Sequence, residues 1–264
     1  MAPEDDPRSA QPGGPLLEAR NLSKRFGGVQ ALQKVSFDLH AGEVLALAGD
    51  NGAGKSTLIK CISGVHAPDE GEILYKGEPV GLANPREARN LGIETIYQDL
   101  ALADNLDVGA NVFLGREPRI RRLGILPAID RRRMRQAASE VLQTLEIELP
   151  RGKLTQPVRT LSGGQRQAVA IGRAIYWQAE VLIMDEPTAA LGVPEQRKVR
   201  ELIARLKQQK VGVIFISHNL VDIFAVADRI LVLRRGIAAG ERRTTETDHD
   251  EIVRLMIGAE PAAA

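Results

Sequence analysis

The chain has 264 residues, with 35 Lys or Arg against 34 Asp or Glu and a formal net charge of +1. Hydrophobic residues make up 44% and charged residues 26%, a globular composition that excludes wholesale disorder. No apolar run approaches the roughly 18 residues that span a bilayer, so a soluble chain is expected, and the near-neutral sum weakens a nucleic-acid reading, which favours a basic domain.

The stretch from Met1 to Pro15 is acidic and rich in Pro and Gly, with no apolar core, so it reads as a disordered tail rather than a secretory signal. Leu16 to Lys24, Ala31 to Leu39 and Gly71 to Val80 read as strands separated by glycine-containing turns such as Phe26-Gly27-Gly28. Between the last two lies Val44 to Ala48, an apolar strand, then a Gly-rich turn and a helix from Lys55 to Ser63. Met134, Ala137, Ala138, Val141, Leu142 and Leu145 recur at helical spacing, and Gln165 to Trp177 reads as another helix ending in core-packed Tyr176 and Trp177. Val181 to Met184 is a short strand, Val199, Leu202, Ile203 and Leu206 form one helix face, and Val213 to Ile216 is a strand. Ile230 to Leu233 ends at a hairpin turn, Arg235-Gly236, and His249 to Ile257 reads as a terminal helix. Strands alternating with helices after Gly42 imply a mainly parallel sheet covered on both faces. From about Asp99 to Gln178 no convincing strand appears, so a helical insert is expected there. The fold class is α/β.

Charge is uneven along the chain. Arg116 to Arg135 holds eight Arg against Glu117 and Asp130, a local +6 that leaves −5 for the rest. A solvated helix–loop face accounts for this segment; the alternative is a position near an anionic lipid leaflet. No aromatic platform accompanies the arginines, and aromatic residues are only 3% of the chain, so no nucleic-acid partner is expected. The single cysteine, Cys61, permits no internal disulfide and reads as a small apolar residue inside a helix.

Gly49-Asp50-Asn51-Gly52-Ala53-Gly54-Lys55-Ser56, followed by Thr57, fits the phosphate-loop pattern GxxxxGK[ST] between a strand and a helix. A triphosphate needs backbone N–H groups at a helix start, and glycines permit both the dihedrals and the close approach. Lys55 supplies a point charge and Ser56 a hydroxyl for Mg²⁺. Asp185 and Glu186 stand at the end of a buried strand, where a parallel sheet binds ligands. There Asp185 can hold the Mg²⁺ shell and Glu186 can polarise an attacking water. Ser162, Gly163, Gly164 and Gln165 open a helix as an N-terminal anion nest.

With that second nest the sequence resembles the ATP-binding-cassette family over nearly everything from Leu16 to Gly258. The resemblance implies a P-loop NTPase fold with a mainly parallel core sheet, an antiparallel β subdomain and a helical subdomain. It implies one cassette at 16–258, with the helical subdomain at about 99–178 and short tails at 1–15 and 259–264. In that family the Ser162–Gln165 stretch is the signature motif, which meets the γ-phosphate held by a partner subunit. Gln98 looks like the glutamine that meets Mg²⁺ and the attacking water, and His218 like the histidine that reaches the γ-phosphate. Phe26 occupies the place of the aromatic that stacks on adenine, with core packing as its alternative. One residue departs from the pattern: Gly192 stands where the family usually has an interfacial Asp after Thr188-Ala-Ala-Leu191. This puts communication between the two ATP sites in doubt.

The Gly49-Asp50-Asn51, Tyr97-Gln98-Asp99-Leu100 and Asn111-Val-Phe-Leu-Gly115-Arg116-Glu117 runs resemble bacterial importer cassettes for ribose, xylose and fructose. The resemblance implies an ATPase acting as a homodimer with ATP and Mg²⁺, under polytopic permease subunits and, indirectly, a periplasmic sugar-binding protein. Its expected location is the cytoplasmic face of the cell membrane. His40, His66 and His249 have no ligand-like partners, so no metal beyond Mg²⁺ is expected. The competing readings are a lipid or amino-acid transporter cassette and a non-transport regulator.

Overall fold

A computed structural model describes residues 14–122, 126–147, 149, 152–189 and 191–258. The expected tails, up to residue 13 and from 259 on, lie outside the described residues. Two compact units emerge. One takes in the chain up to Thr95, Glu180–Met184 and everything from Leu206; the other takes in Ile96–Ala179 and Asp185–Arg205.

In the first unit, β1 (Leu17–Phe26) and β2 (Val29–Leu39) form a long hairpin, and β4 (Glu70–Tyr75) and β5 (Glu78–Val80) form a short one. They join as an antiparallel sheet in the order β2-β1-β4-β5. Gly71 to Val80 is therefore two strands rather than the expected one. Lys76 and Gly77 both take positive φ, 53° and 83°, the type I′ geometry that reverses a two-residue hairpin. A lysine at the first turn position hides this turn from a sequence reading.

The second sheet runs β12-β11-β3-β10-β9-β6. It uses β3 (Val44–Ala48), β6 (Ile93–Ile96), β9 (Val181–Asp185), β10 (Gly212–Ile216), β11 (Arg229–Arg234) and β12 (Ile237–Arg243). Both β10 and β11 pair with β3 in parallel, and only β12 is shown antiparallel. Every residue of β3 and β10 is buried, as expected for strands covered on both faces. The core of this unit joins both sheets to α1 (Lys55–Ile62), through Leu17, Leu32, Leu47, Leu58, Ile62 and Ile214. Cys61 is fully buried in that core, and burial pushes its thiol up to about 11. The short α2 (Pro85–Asn90) begins at an Asn84 cap, α7 (Leu220–Val226) follows β10, and α8 (His249–Ile257) closes the described chain.

The second unit is built on α3 (Val108–Val112), α4 (Arg131–Thr144), α5 (Gly163–Tyr176) and α6 (Val193–Gln208). Val112, Phe113, Met134, Ala138, Leu142 and Val169 form its core. Asp107 caps α3 and also receives Arg135 of α4 at 3.1 Å. Asn111, fully buried, accepts from Ala103 N at 2.7 Å and donates to the carbonyls of Ala103, Leu106 and Asp107. Tyr176 and Trp177 are half-buried in an aromatic cluster with Phe113. The insert also contains strands, contrary to expectation: β7 (Arg119–Arg122) pairs antiparallel with β8 (Leu126–Ile129). Each is only four residues long, β7 is three-quarters arginine and β8 contains Pro127, so neither carries enough alternation to register as a strand.

Candidate nucleotide-binding site

The phosphate-loop pattern lies where β3 turns into α1. Gly49 has φ of 151°, and a Cβ there would meet the Leu233 carbonyl oxygen at 2.4 Å. Gly54, at φ 106°, would place a Cβ 2.8 Å from the Ala31 carbonyl oxygen. Both positions admit glycine alone without backbone movement. The loop is tied down from below, because Ala53 O accepts from Gly236 N at 2.9 Å and Gly236 O from Gln33 N at 2.7 Å.

Gly54 caps α1 with no side-chain hydrogen bond, so the first-turn amides of Lys55, Ser56 and Thr57 have no side-chain acceptor at the cap. That is an anion-receptive end. Lys55 Nζ donates to the carbonyls of Gly49 at 2.6 Å and Asp50 at 3.0 Å, which arches the side chain back over its own loop. A phosphate arriving at the loop competes for the same ammonium. These features fit a nucleotide triphosphate. For a divalent ion, no group of three His, Cys, Asp or Glu among the described residues could hold one unaided. Ser56 in the first unit, and Gln98 and Asp185 in the second, each carry a hard oxygen donor of the kind Mg²⁺ takes alongside substrate phosphates.

His218 belongs to the same unit as the loop. It follows β10, whose Ile216 stands opposite Leu47 of β3, so Gly49 and His218 leave the sheet at one edge. His218 is exposed, and the cap of α7 falls to Asn219, which accepts from Val221 N at 3.0 Å. A buried or capping histidine is thereby excluded. Phe26, at the end of β1, is 44% exposed, which removes the core-packing alternative. Its ring meets His66 edge-on at 5.1 Å, with Lys24 Nζ 5.7 Å from its centroid.

In the second unit, Gln98 is exposed just past β6, and Asp185 ends β9. Glu186 has φ of 51° and precedes Pro187. A proline disfavours helical geometry in the residue before it, so this conformation stores about 1–3 kcal/mol of strain. Ser162 and Gln165 form a capping box: Ser162 Oγ accepts from Gln165 N at 3.3 Å, and Gln165 Oε1 from Ser162 N at 3.0 Å. Those two amides are thus engaged, and the nest that remains for an anion is made by Gly163 and Gly164.

Several positioning contacts escaped the sequence reading. A Cβ on Gly163 would sit 2.5 Å from Leu191 Cδ2, and one on Gly164 would sit 3.2 Å from Glu195 Cγ. The segment around Gly192 is therefore packed against the nest, and Gln196 holds it by donating to the carbonyls of Thr188 and Leu191. From α5, Arg166 pairs with Asp104 at 2.6 Å and Arg173 donates to Ala101 O at 3.1 Å. The nest helix is thus fastened to the segment that follows Gln98. These partners lie 62 and 72 residues apart, and no local pattern announces them.

The family described as ABC transporter matches residues 32–189. The xylose/arabinose import ATP-binding protein of Sulfolobus acidocaldarius is 48% identical over 91% of this chain and 93% of its own length. The fructose import ATP-binding protein of Rhizobium meliloti is 47% identical over 93% of this chain and 95% of its own. A ribose import ATP-binding protein of Rubrobacter xylanophilus is 48% identical over 92% of this chain, which spans only 47% of that longer relative. Among solved structures, an ATP-binding cassette of an ABC transporter in its ADP conformation superimposes with TM-score 0.77 at 26% identity, covering 93% of this chain and 96% of that one. A dimeric bacterial ABC transporter cassette gives TM-score 0.70 at 25% identity, covering 86% and 98% respectively.

Proposed function

The chain belongs to the ATP-binding-cassette transporter family, and from that premise we propose that it is the ATP-hydrolysing subunit of a simple-sugar importer. The observation that carries the sugar assignment is identity of 47–48% to import ATP-binding proteins for xylose/arabinose, fructose and ribose over more than nine-tenths of the chain. No helix among the described residues is long and apolar enough to cross a membrane. In this reading separate permease subunits carry the sugar, and this chain works beneath them at the cytoplasmic face, as a single cassette at 16–258.

In this reading the amides of Gly49 to Thr57 wrap the phosphates of ATP, and Lys55 exchanges its loop carbonyls for phosphate oxygens. Hydrogen bonds to a charged group are worth about 1.5–3 kcal/mol on either side of that exchange, so the loop needs little reorganisation to bind. Phe26 presents its exposed face to the adenine. Ser56, Gln98 and Asp185 hold Mg²⁺, which supplies neutralisation of the phosphate charge. Glu186 orients and polarises the attacking water, while His218 stabilises the γ-phosphoryl group as negative charge shifts towards ADP. Ser162, Gly163, Gly164 and Gln165 complete the opposite site in a second copy. A dimeric cassette among the structural relatives, and another described as dimeric with ADP and phosphate after hydrolysis, support this pairing. Closure on the γ-phosphate and opening after its release make a switch. Gly192 supplies no interfacial carboxylate, so coupling between the two sites rests on other contacts.

The test is reconstitution of the chain with its permease and a periplasmic-type binding protein. Pentose or fructose in the presence of the binding protein should raise ATP turnover severalfold. Copurification without any polytopic membrane protein, or turnover that follows a lipid or amino acid instead, refutes the sugar importer.

A further inference from the structure

The Arg116 to Arg135 stretch, with its local +6, contains charge that folding does not use. Arg116 stacks over Trp177 at 4.6 Å and Arg135 pairs with Asp107, so two of the eight are structural. The two acids of the stretch are occupied by backbone: Glu117 accepts from Gly115 N at 3.0 Å and Asp130 from Arg133 N at 2.9 Å. Arg131, Arg132 and Arg133 are exposed and pair with no carboxylate among the described residues. They stand in the first turn of α4, where cations oppose the helix dipole, so they cost stability where they are.

In this stretch and just before it, large apolar side chains are exposed. Ile120 is 45% exposed, Ile129 49% and Leu114 47%. In the β7–β8 ribbon Ile129 lies directly opposite Arg119, and Ile120 opposite Ala128. The ribbon is a two-stranded sheet by itself, an element of marginal stability without further packing. Its end and the start of α4 share one depression of about 290 Å³, lined by Glu117, Ile129, Arg131 and Met134 among others.

We propose that the β7–β8 ribbon and the first turn of α4 form a contact surface for anionic phospholipid headgroups. The surface is net basic, with Ile129 set beside the long guanidinium side chain of Arg119. Such a face suits a planar anionic boundary: Arg119 and the α4 arginines reach the phosphates while Ile129, on the same ribbon face as Arg119, enters the edge of the acyl region. A nucleic acid would want stacking aromatics, of which the stretch has none. The remainder of the chain carries −5, and screening confines attraction to about 8 Å. An anionic leaflet therefore attracts this patch, repels the rest and sets the orientation of the molecule.

The experiment is sedimentation of the full chain with vesicles of phosphatidylglycerol or phosphatidylcholine at 0.1 M salt. The chain should pellet with the anionic vesicles only, and less as salt rises. Each basic residue near such a surface is worth about fivefold in partitioning. The combined Arg119→Gln, Arg131→Gln, Arg132→Gln and Arg133→Gln variant should therefore bind more than a hundredfold more weakly. Removing equal charge at exposed Lys34, Lys60, Lys198 and Lys210 should cost far less. Solution ATP turnover, read alongside, should stay at the wild-type level in both variants, which separates this surface from the nucleotide site. Equal binding to neutral vesicles, no binding to anionic ones, or an unchanged four-arginine variant overturns the proposal. So does a requirement for these arginines only with permease in neutral lipid, which would assign them to an acidic protein surface.

Discussion

Replacing Asn111 by alanine tests the packing that supports the segment after Gln98. The side chain is fully buried, accepts from Ala103 N at 2.7 Å and donates its amide hydrogens among the carbonyls of Ala103, Leu106 and Asp107, at 3.0–3.3 Å. Two amide hydrogens serve three acceptors, so truncation removes about three full bonds, each worth about 1 kcal/mol net. The part-buried Ala103 N–H then loses its acceptor, a cost of about 1–3 kcal/mol that overlaps the first figure. A loss of about 3–4 kcal/mol follows. In a chain of this size that lowers the thermal midpoint by about 6–16 °C. Because there are two compact units, the sharper assay is native-state hydrogen exchange. Protection should fall in α3 and α4, while β3 and β10 keep theirs. Asn111→Asp should be at least as damaging, since a carboxylate would face three carbonyl oxygens. If Asn111→Ala stays within about 0.5 kcal/mol of wild type, with unchanged exchange in α3, the hydrogen-bond account is wrong.

Glu186→Gln should keep ATP binding but lower turnover by a hundredfold or more and trap an ATP-bound pair, visible by size-exclusion chromatography with Mg²⁺; turnover at the wild-type rate would remove Glu186 from the chemistry. Lys55→Ala should weaken ATP binding by at least tenfold in calorimetry while the fold persists by circular dichroism, and equal affinity would count against the loop assignment. Cys61 is fully buried, with its thiol pushed up to about 11, so a maleimide at pH 7.5 should label it only after denaturation. The sign of the linkage follows: the unfolded thiol, near 9, ionises first, so its contribution is intact below that value and falls away as pH rises towards 11. Cys61→Ser should flatten this alkaline limb of a urea stability profile; an unchanged limb would show that another group governs it.

Short-range patterns made much of the molecule legible. Continuous apolar runs gave β3 and β10, and helical spacing gave α4 and α5, because a buried strand and a half-buried helix each impose their own period on the residues that face the core. The phosphate loop, the strand-end Asp185-Glu186 pair and the Ser162 nest were readable for the same reason: each is local chain geometry with a fixed residue requirement. The same patterns missed the Lys76-Gly77 turn and the β7–β8 ribbon. The first read as unbroken strand and the second as part of a helical insert, and in both the pairing across the sheet decides the outcome.

The amino-acid order alone thus determined the α/β class, the cassette motifs and the strand-to-helix junction at Gly49 to Thr57. Tertiary structure alone decided that Gly49 must lie under the Leu233 carbonyl, that Leu191 and Glu195 pack against Gly163 and Gly164, and that Arg166 and Arg173 fasten the nest helix to the segment after Gln98. The physical reason is range. Dihedral preference and hydrophobic period act over a few residues and are written in each segment, whereas steric fit and ion pairing join groups that become neighbours only when the chain has closed on itself.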